Sequence, residues 1–254
     1  MDEAIDSLAR DLVSADRSVV LTGAGVSTAS GIPDFRSDGG IWETHDRADF
    51  HVRRFRADPG AFWADRVALR DSLFGSGDVS PNPAHEALAA LEGRGHLEAV
   101  LTQNVDGLHE AAGSESVVRL HGTSQQVACT SCDARYPADP VFDRAADGDL
   151  PPRCADCDGV LKPATVLFGE SMPTGPLGRA RRLAETADVF LAVGSSLTVE
   201  PAASLPAMAT RKGATLAVVN RDATPVADRA AVDLRADVTE ALPALVDAVE
   251  GLEN

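Results

Sequence analysis

The sequence predicts an α/β protein: a parallel sheet with helices on both faces, into which a smaller domain is inserted. Three observations predict it. Short apolar runs alternate with amphipathic helical stretches along most of the 254 residues, the first run ends in a glycine-rich turn, and two stretches, 37–82 and 124–164, break the rhythm.

The elements follow in order. Residues 4–16 place Ile5, Leu8 and Leu12 at helical spacing and open the chain as an amphipathic helix. Strands are expected at 18–22, 98–102, 116–120, 188–193, 215–219 and 231–234, and helices near 83–93, 176–187, 201–211 and 239–250. Near-continuous apolar strands belong to a parallel sheet covered on both faces. The stretch 37–82 holds glycines, prolines and a helical piece around Pro59–Leu73 but no central strand, and 124–164 holds all four cysteines among turn formers. The expected division is a discontinuous Rossmann-like domain (1–36, 83–123 and 165–254), a loop-and-helix insertion (37–82) and a metal-binding module (124–164).

Composition narrows the function classes. The chain has 39 acids against 23 bases, a net charge of −16, and lysines only at positions 162 and 212. An acidic, lysine-poor surface suits concentrated salt, where charges are screened within about 3 Å at 1 M. A halophilic source is expected, an acidic protein from a GC-rich genome being the alternative. The same charge disfavours nucleic-acid binding. No run approaches the length of a membrane span, and the start, Met1-Asp2-Glu3-Ala4, lacks the features of a signal peptide, so a cytoplasmic protein is expected.

The most informative segment is Gly23-Ala24-Gly25-Val26-Ser27-Thr28-Ala29-Ser30-Gly31-Ile32-Pro33-Asp34-Phe35-Arg36. Two glycines after an apolar strand let the backbone approach a pyrophosphate, but the third glycine of the usual dinucleotide fingerprint is replaced by Thr28. The chain instead continues into a rigid turn carrying an acid, an aromatic ring and a guanidinium. The cysteines form two pairs, Cys129-x-x-Cys132 and Cys154-x-x-Cys157, with 21 residues between them. Two such knuckles complete a closed tetrahedral zinc site, whereas disulfides do not suit a cytoplasmic chain and a redox C-x-x-C does not explain a second pair.

Four further stretches sit at strand ends, where open parallel sheets bind ligands. Thr102-Gln103-Asn104-Val105-Asp106-Gly107-Leu108-His109 supplies two amides and an acid for ribose hydroxyls and a carboxamide, or else a polar turn capping the next helix. In Leu120-His121-Gly122 the histidine is a candidate general base. The other histidines (His45, His51, His85, His96 and His109) take the structural reading. Gly194-Ser195-Ser196-Leu197, at a strand-to-helix turn, is a candidate phosphate site or a simple N-cap, and Asn220 ends the next strand. The segment Lys162–Glu170 is either a core strand or an edge strand open to an incoming peptide.

Together these motifs resemble the sirtuins, the NAD-dependent protein deacylases, in the family's order and from about residue 5 to 245. The resemblance implies that NAD⁺ is consumed across the carboxyl edge of the sheet. Gly23, Ala24, Gly25, Gly194, Ser195, Ser196 and Asn220 would seat its phosphates and adenosine. Asp34, Phe35 and Arg36 would cover the nicotinamide ribose, Gln103 and Asn104 would hold it, and Asp106 would face the carboxamide. The acyl oxygen of an acyl-lysine peptide would attack C1′ and expel nicotinamide, and His121 would then activate a ribose hydroxyl. Val166, Phe168, Gly169 and Glu170 would receive the peptide, and the cysteine quartet would hold structural Zn²⁺. Deacetylation is the expected activity. Trp63-Ala64-Asp65-Arg66 keeps the arginine but not the tyrosine of the Tyr-x-x-Arg pair of succinyl- and malonyl-preferring relatives, so Arg66 is a candidate acyl contact or else pairs with an acid such as Asp65 or Asp71. Protein mono-ADP-ribosylation and an NAD-sensing binding module are the competing functions.

Overall fold

The computed structural model describes residues 1–37, 39–74 and 79–254; Asp38 and residues 75–78 of the 37–82 insertion lie outside the described residues. The strands are β1 (Ser18–Thr22), β2 (Ala99–Thr102), β3 (Val117–Arg119), β4 (Gly122–Cys129), β5 (Arg135–Pro137), β6 (Leu161–Thr165), β7 (Val189–Val193), β8 (Thr215–Val219) and β9 (Val232–Leu234). The helices are α1 (Asp2–Ser14), α2 (Ile41–Thr44), α3 (Val52–Ala57), α4 (Pro59–Phe74), α5 (Pro83–Gly93), α6 (Leu108–Ala111), α7 (Ala138–Ala146), α8 (Thr174–Thr186), α9 (Leu205–Arg211) and α10 (Val238–Glu253).

Six strands form one parallel sheet in the order β3-β2-β1-β7-β8-β9. The order reverses direction at β1, which brings the loops after β1, β2, β7 and β8 to one edge. Side chains alternate between two apolar layers, as a period of two requires. Val20, Val100, Leu191 and Val219 pack with α1, α5 and α10, while Leu21, Leu101, Phe190 and Val218 pack with α8 and α9. Asn82 caps α5 ahead of Pro83, and Asp237 caps α10 by accepting from the Thr239 N–H. The six expected strands and the flanking helices are all present within one to three residues, except near 201–211, where a 3₁₀ turn at Ala202–Ser204 precedes α9.

A second, antiparallel sheet, β5-β4-β6, was not expected from the sequence. β5 has only three residues, and β4, though eight residues long, is half exposed and buries only Thr123, Val127 and Cys129, so no long apolar run announces the sheet. A third apolar cluster joins Val52 and Phe55 of α3 and Phe62 and Trp63 of α4 to Val127, Val141 and Leu161. The Trp63 indole donates to the Leu161 carbonyl at 2.8 Å, which ties α4 to β6. Helices of the 37–82 stretch thus pack on the sheet that carries the cysteines.

Candidate active site and metal centre

The site begins where glycines let two loops touch. The Gly25 N–H donates to the Gly194 carbonyl at 2.9 Å. A Cβ on Gly25 would lie 2.9 Å from that oxygen, and one on Gly194, whose φ is +58°, would lie 2.6 Å from the Val26 nitrogen. After the first glycine come two 3₁₀ turns, Ala24–Val26 and Thr28–Ser30, rather than a helix, in keeping with the missing third glycine.

The Gly194–Leu197 turn corrects one expectation. α9 starts only at Leu205, so no helix N-terminus faces Gly194, Ser195 or Ser196. What these residues offer is backbone and hydroxyls. Ser195 Oγ accepts from Gln103 Nε2 (2.9 Å) and from the Leu197 N–H (3.3 Å), and Ser196 Oγ meets Thr198 Oγ1 at 3.0 Å. Leu197 holds a left-handed φ of +51°, a strain of order 1 kcal/mol stored beside the site. A cleft of about 260 Å³ opens here, lined by Gly25, Thr28, Asp34, Gly194, Asn220 and Asp237, among others.

The loop after β2 is wired to the loop after β1. Asn104 Nδ2 donates to the Gly23 carbonyl (3.1 Å) and to Ser27 Oγ (3.0 Å), and Ser27 Oγ donates to Asp106 Oδ2 at 2.8 Å. The other Asp106 oxygen accepts from the Leu108 N–H at the start of α6, so this one carboxylate caps a helix and fixes a site residue together. Gln103 Nε2 reaches the Thr22 carbonyl as well as Ser195, bridging three strand ends.

His121 has a defined tautomer. Its Nδ1 lies 3.0 Å from the Gln103 carbonyl, which can only accept, so Nδ1 carries the proton and Nε2 keeps its lone pair. Burial pushes its pKa below the ordinary histidine value, outweighing the upward pull of that carbonyl, so the ring is a neutral base at pH 7.

His85, which the sequence reading leaves structural, is brought to the site against Ser27 of the glycine loop. His85 Nε2 lies 3.3 Å from Ser27 Oγ, and its Nδ1 accepts from the Asn82 N–H, which makes Nε2 the donor. Burial first, then neighbouring His109, pushes the His85 pKa down to about 4 against the upward pull of Asp106, and burial does the same to His109. The available signal was the N-cap spacing Asn82-Pro83-Ala84-His85, which places the histidine in the first turn of α5.

Asp34 organises its own loop. Its carboxylate accepts from the Arg36 and Ser37 N–H groups (2.7 and 2.8 Å) and from Ser37 Oγ. Burial pushes the carboxyl up, and these bonds together outweigh it and leave the pKa low. Phe35 stacks on Trp42 (5.1 Å), which meets Phe50 (5.2 Å) and Phe168 (6.0 Å), while Arg36 is exposed. Phe168 is 38% exposed, unusual for a large apolar side chain beside a cleft.

The expected peptide edge is partly spent. The Phe168 N–H and carbonyl pair with Phe50 and Val52, the Val166 N–H with His121, and the Leu167 N–H with Glu170 Oε2. Glu170 also pairs with Lys162 at 3.0 Å, so its carboxylate shapes this turn. Among the described residues the Val166 carbonyl and the Gly169 N–H remain open to a strand. Arg66 is 9% exposed; its guanidinium lies 4.0 Å from the Phe50 ring centre and 5.0 Å from that of Phe62, and Nη2 donates to the Asp49 carbonyl. Burial lowers its pKa to about 10. Asp65 pairs with Arg54 instead.

The four cysteines converge. Their Sγ atoms all lie within 4.8 Å of one another, with Cys129–Cys157 at 3.5 Å and Cys132–Cys154 at 3.7 Å, and all four are free of disulfides. Tetrahedral Zn–S bonds of about 2.3 Å require sulfurs about 3.8 Å apart, so the quartet fits Zn²⁺. Each pair is followed by an aspartate in the left-handed region, Asp133 and Asp158, both at φ +59°. That turn folds each knuckle back on itself, and Ser131 N–H donates to Cys129 Sγ. With four sulfur ligands no position is left for a substrate, so the metal is structural.

A family model described as "Sir2 family" matches residues 23–201. An NAD-dependent protein deacetylase of Haloarcula marismortui is 59% identical over 96% of this chain and 94% of that protein. NAD-dependent protein deacetylase 1 of Pyrobaculum aerophilum is 43% identical over 98% and 96%. Among solved structures, a Sir2 enzyme bound to a p53 peptide and NAD⁺ superposes with a TM-score of 0.86 at 36% identity, covering 98% of each chain. A variant Sir2 with a deacetylated p53 peptide and 3′-O-acetyl-ADP-ribose gives 0.88 at 36% identity, over 96% of this chain and 97% of that one. The match spans the glycine loop, His121 and the cysteine quartet: the chain belongs to the Sir2 family.

Proposed function

We propose that this chain is an NAD-dependent protein-lysine deacetylase, moving the acetyl group of an acetyl-lysine onto ADP-ribose with release of nicotinamide. The observation that carries the reading is His121, neutral, half-buried, with Nδ1–H committed to Gln103 and Nε2 free, next to the amide pair Gln103–Asn104. The relatives named as deacetylases and the neighbour holding a deacetylated peptide with acetyl-ADP-ribose support it.

The acyl oxygen forms a bond to C1′ of the nicotinamide ribose as the C1′–N bond breaks and its electron pair leaves with nicotinamide. Charge develops on the ribose, so orientation and exclusion of water matter more than a strong nucleophile. In this reading Asn104, tethered through Nδ2 to Gly23 and Ser27, turns its amide to the ribose, and Phe35 with Trp42 covers that ribose. Gly23, Ala24, Gly25, Asp34, Arg36, Gly194, Ser195, Ser196 and Asn220 bind the rest of NAD⁺, and Asp106 faces the carboxamide. His121 Nε2 then takes the proton of a ribose hydroxyl, which attacks the imidate carbon, and water releases the lysine amine. The peptide lies against Phe168 and pairs with the Val166 carbonyl and the Gly169 N–H. Arg66, stacked between Phe50 and Phe62, braces the aromatic cluster rather than reading an acidic acyl chain. The location that fits four metal-held thiols and an acidic surface is the cytoplasm.

The test incubates the protein at high salt with an acetyl-lysine peptide and a succinyl-lysine peptide, each with and without NAD⁺. Nicotinamide release that needs both NAD⁺ and the acetyl peptide is expected. Release with the succinyl peptide alone reassigns Arg66. Failure with both peptides while NAD⁺ binds leaves a sensor, and label from NAD⁺ appearing on protein leaves an ADP-ribosyltransferase.

A further inference from the structure

Resting on the deacetylase reading, we infer that His109 is a positioning residue, which fixes Asn104 from behind through the two threonines that end β1 and β2. Thr22 and Thr102 are register partners on adjacent parallel strands and continue the Val20–Val100 row, both buried. On that row the next residue on each strand is a hydroxyl where the apolar layer ends. Thr22 Oγ1 donates to Thr102 Oγ1 at 2.9 Å, and Thr102 Oγ1 accepts the Asn104 backbone N–H at 3.0 Å. His109 Nε2 lies 2.9 Å from Thr22 Oγ1. Because the Thr22 proton is given to Thr102, Nε2 must be the donor, and the chain has one direction: His109 to Thr22 to Thr102, with the Asn104 N–H arriving at its end.

His109 is 1% exposed, and its Nδ1 has no partner among the described residues. A buried unpaired ring nitrogen is a desolvation cost that a leucine at this place would not incur. It is retained for the Nε2–H. Without that donor, Thr22 Oγ1 loses the bond that orients it, Thr102 no longer presents a fixed lone pair, and the Asn104 backbone is released at one end. The side-chain tethers of Asn104 to Gly23 and Ser27 remain, so the site loosens without dissolving. The peptide platform at Phe168 makes none of these bonds, so peptide binding stays as it was.

The experiment compares wild type with His109→Phe, His109→Gln, Thr22→Val and Thr22→Ser. Hydrogen exchange of the 103–107 segment in the free protein reads positioning without any turnover. It should accelerate at least tenfold in His109→Phe and Thr22→Val, and return toward wild type in His109→Gln and Thr22→Ser, which keep a donor and a hydroxyl. In the deacetylation assay the first two should lose about tenfold in kcat with peptide KM within twofold, and the double variant His109→Phe/Thr22→Val should be no worse than either single one. Unchanged exchange and kcat in His109→Phe, or an equal loss in Thr22→Ser and Thr22→Val, would overturn the inference. If His109→Phe does not fold, the two Thr22 variants decide by the same readouts. Exchange shifts in a protein whose wild type does not turn over would instead sink the deacetylase reading and keep the relay.

Discussion

His121 draws its role from a single hydrogen bond. The Gln103 carbonyl holds its Nδ1 proton, and burial keeps the other nitrogen unprotonated at neutral pH. His121→Ala should therefore leave NAD⁺ affinity within a few-fold and lower product formation by 10²–10⁴, the usual order for losing a general base. Calorimetry with NAD⁺ beside a product assay checks both halves; surviving turnover would mean another base. The pH dependence has a definite sign. A base whose pKa lies below the ordinary 6.5 stays competent as pH falls past that value, so the acid limb of kcat/KM should lie below pH 6.5, and a limb above it would contradict the burial argument. His121 was legible as a candidate base because it follows the apolar run that ends at Leu120. Ser27 and His85 were not legible as partners, because 58 residues separate them and nothing local in either segment marks the contact.

At the level of elements, α5 and α6 each bring a buried neutral histidine against the strand ends, with rings 5.0 Å apart. Both have folded pKa values of about 4 against about 6.5 unfolded, so the unfolded chain binds more protons in between. Stability is full above pH 6.5 and is lost as pH falls toward 4, by up to about 3 kcal/mol for each ring. Urea midpoints at constant salt across that window should fall for the wild type and fall less for His109→Gln; equal slopes would contradict it. The parallel strands were readable because both faces are apolar, as in Val189–Val193. β4 and β5 were not, since one face of each meets solvent and the cysteines do part of the work of an apolar core. Gly194–Leu197 reads as a strand-to-helix turn because serines commonly cap helices, yet seven residues follow Leu197 before α9 begins at Leu205. The cysteine sheet shares its core with α3 and α4. We propose that it still yields first: chelation should melt β4, β5 and β6 while leaving the exchange of the six-stranded sheet no faster, and simultaneous loss of both in calorimetry would show one cooperative unit.

The whole molecule carries a net charge of −16, and its 23 basic residues are nearly all arginines. Self-repulsion of that size weakens the compact state until salt screens it. The melting temperature should climb steadily between about 0.1 M and about 2 M KCl, and a flat response would point to a merely acidic protein. In the proposed reaction the carboxyl edge of the sheet, from the touching glycines to the free Nε2, would serve to consume NAD⁺ and carry an acetyl group away on it. The most direct measurement follows that group: a peptide with isotopically labelled acetyl-lysine, turned over with NAD⁺ at high salt, with products separated by mass. The label should leave on ADP-ribose, one nicotinamide released for each lysine freed. Label recovered as free acetate from the first turnover, with NAD⁺ intact, would contradict the account.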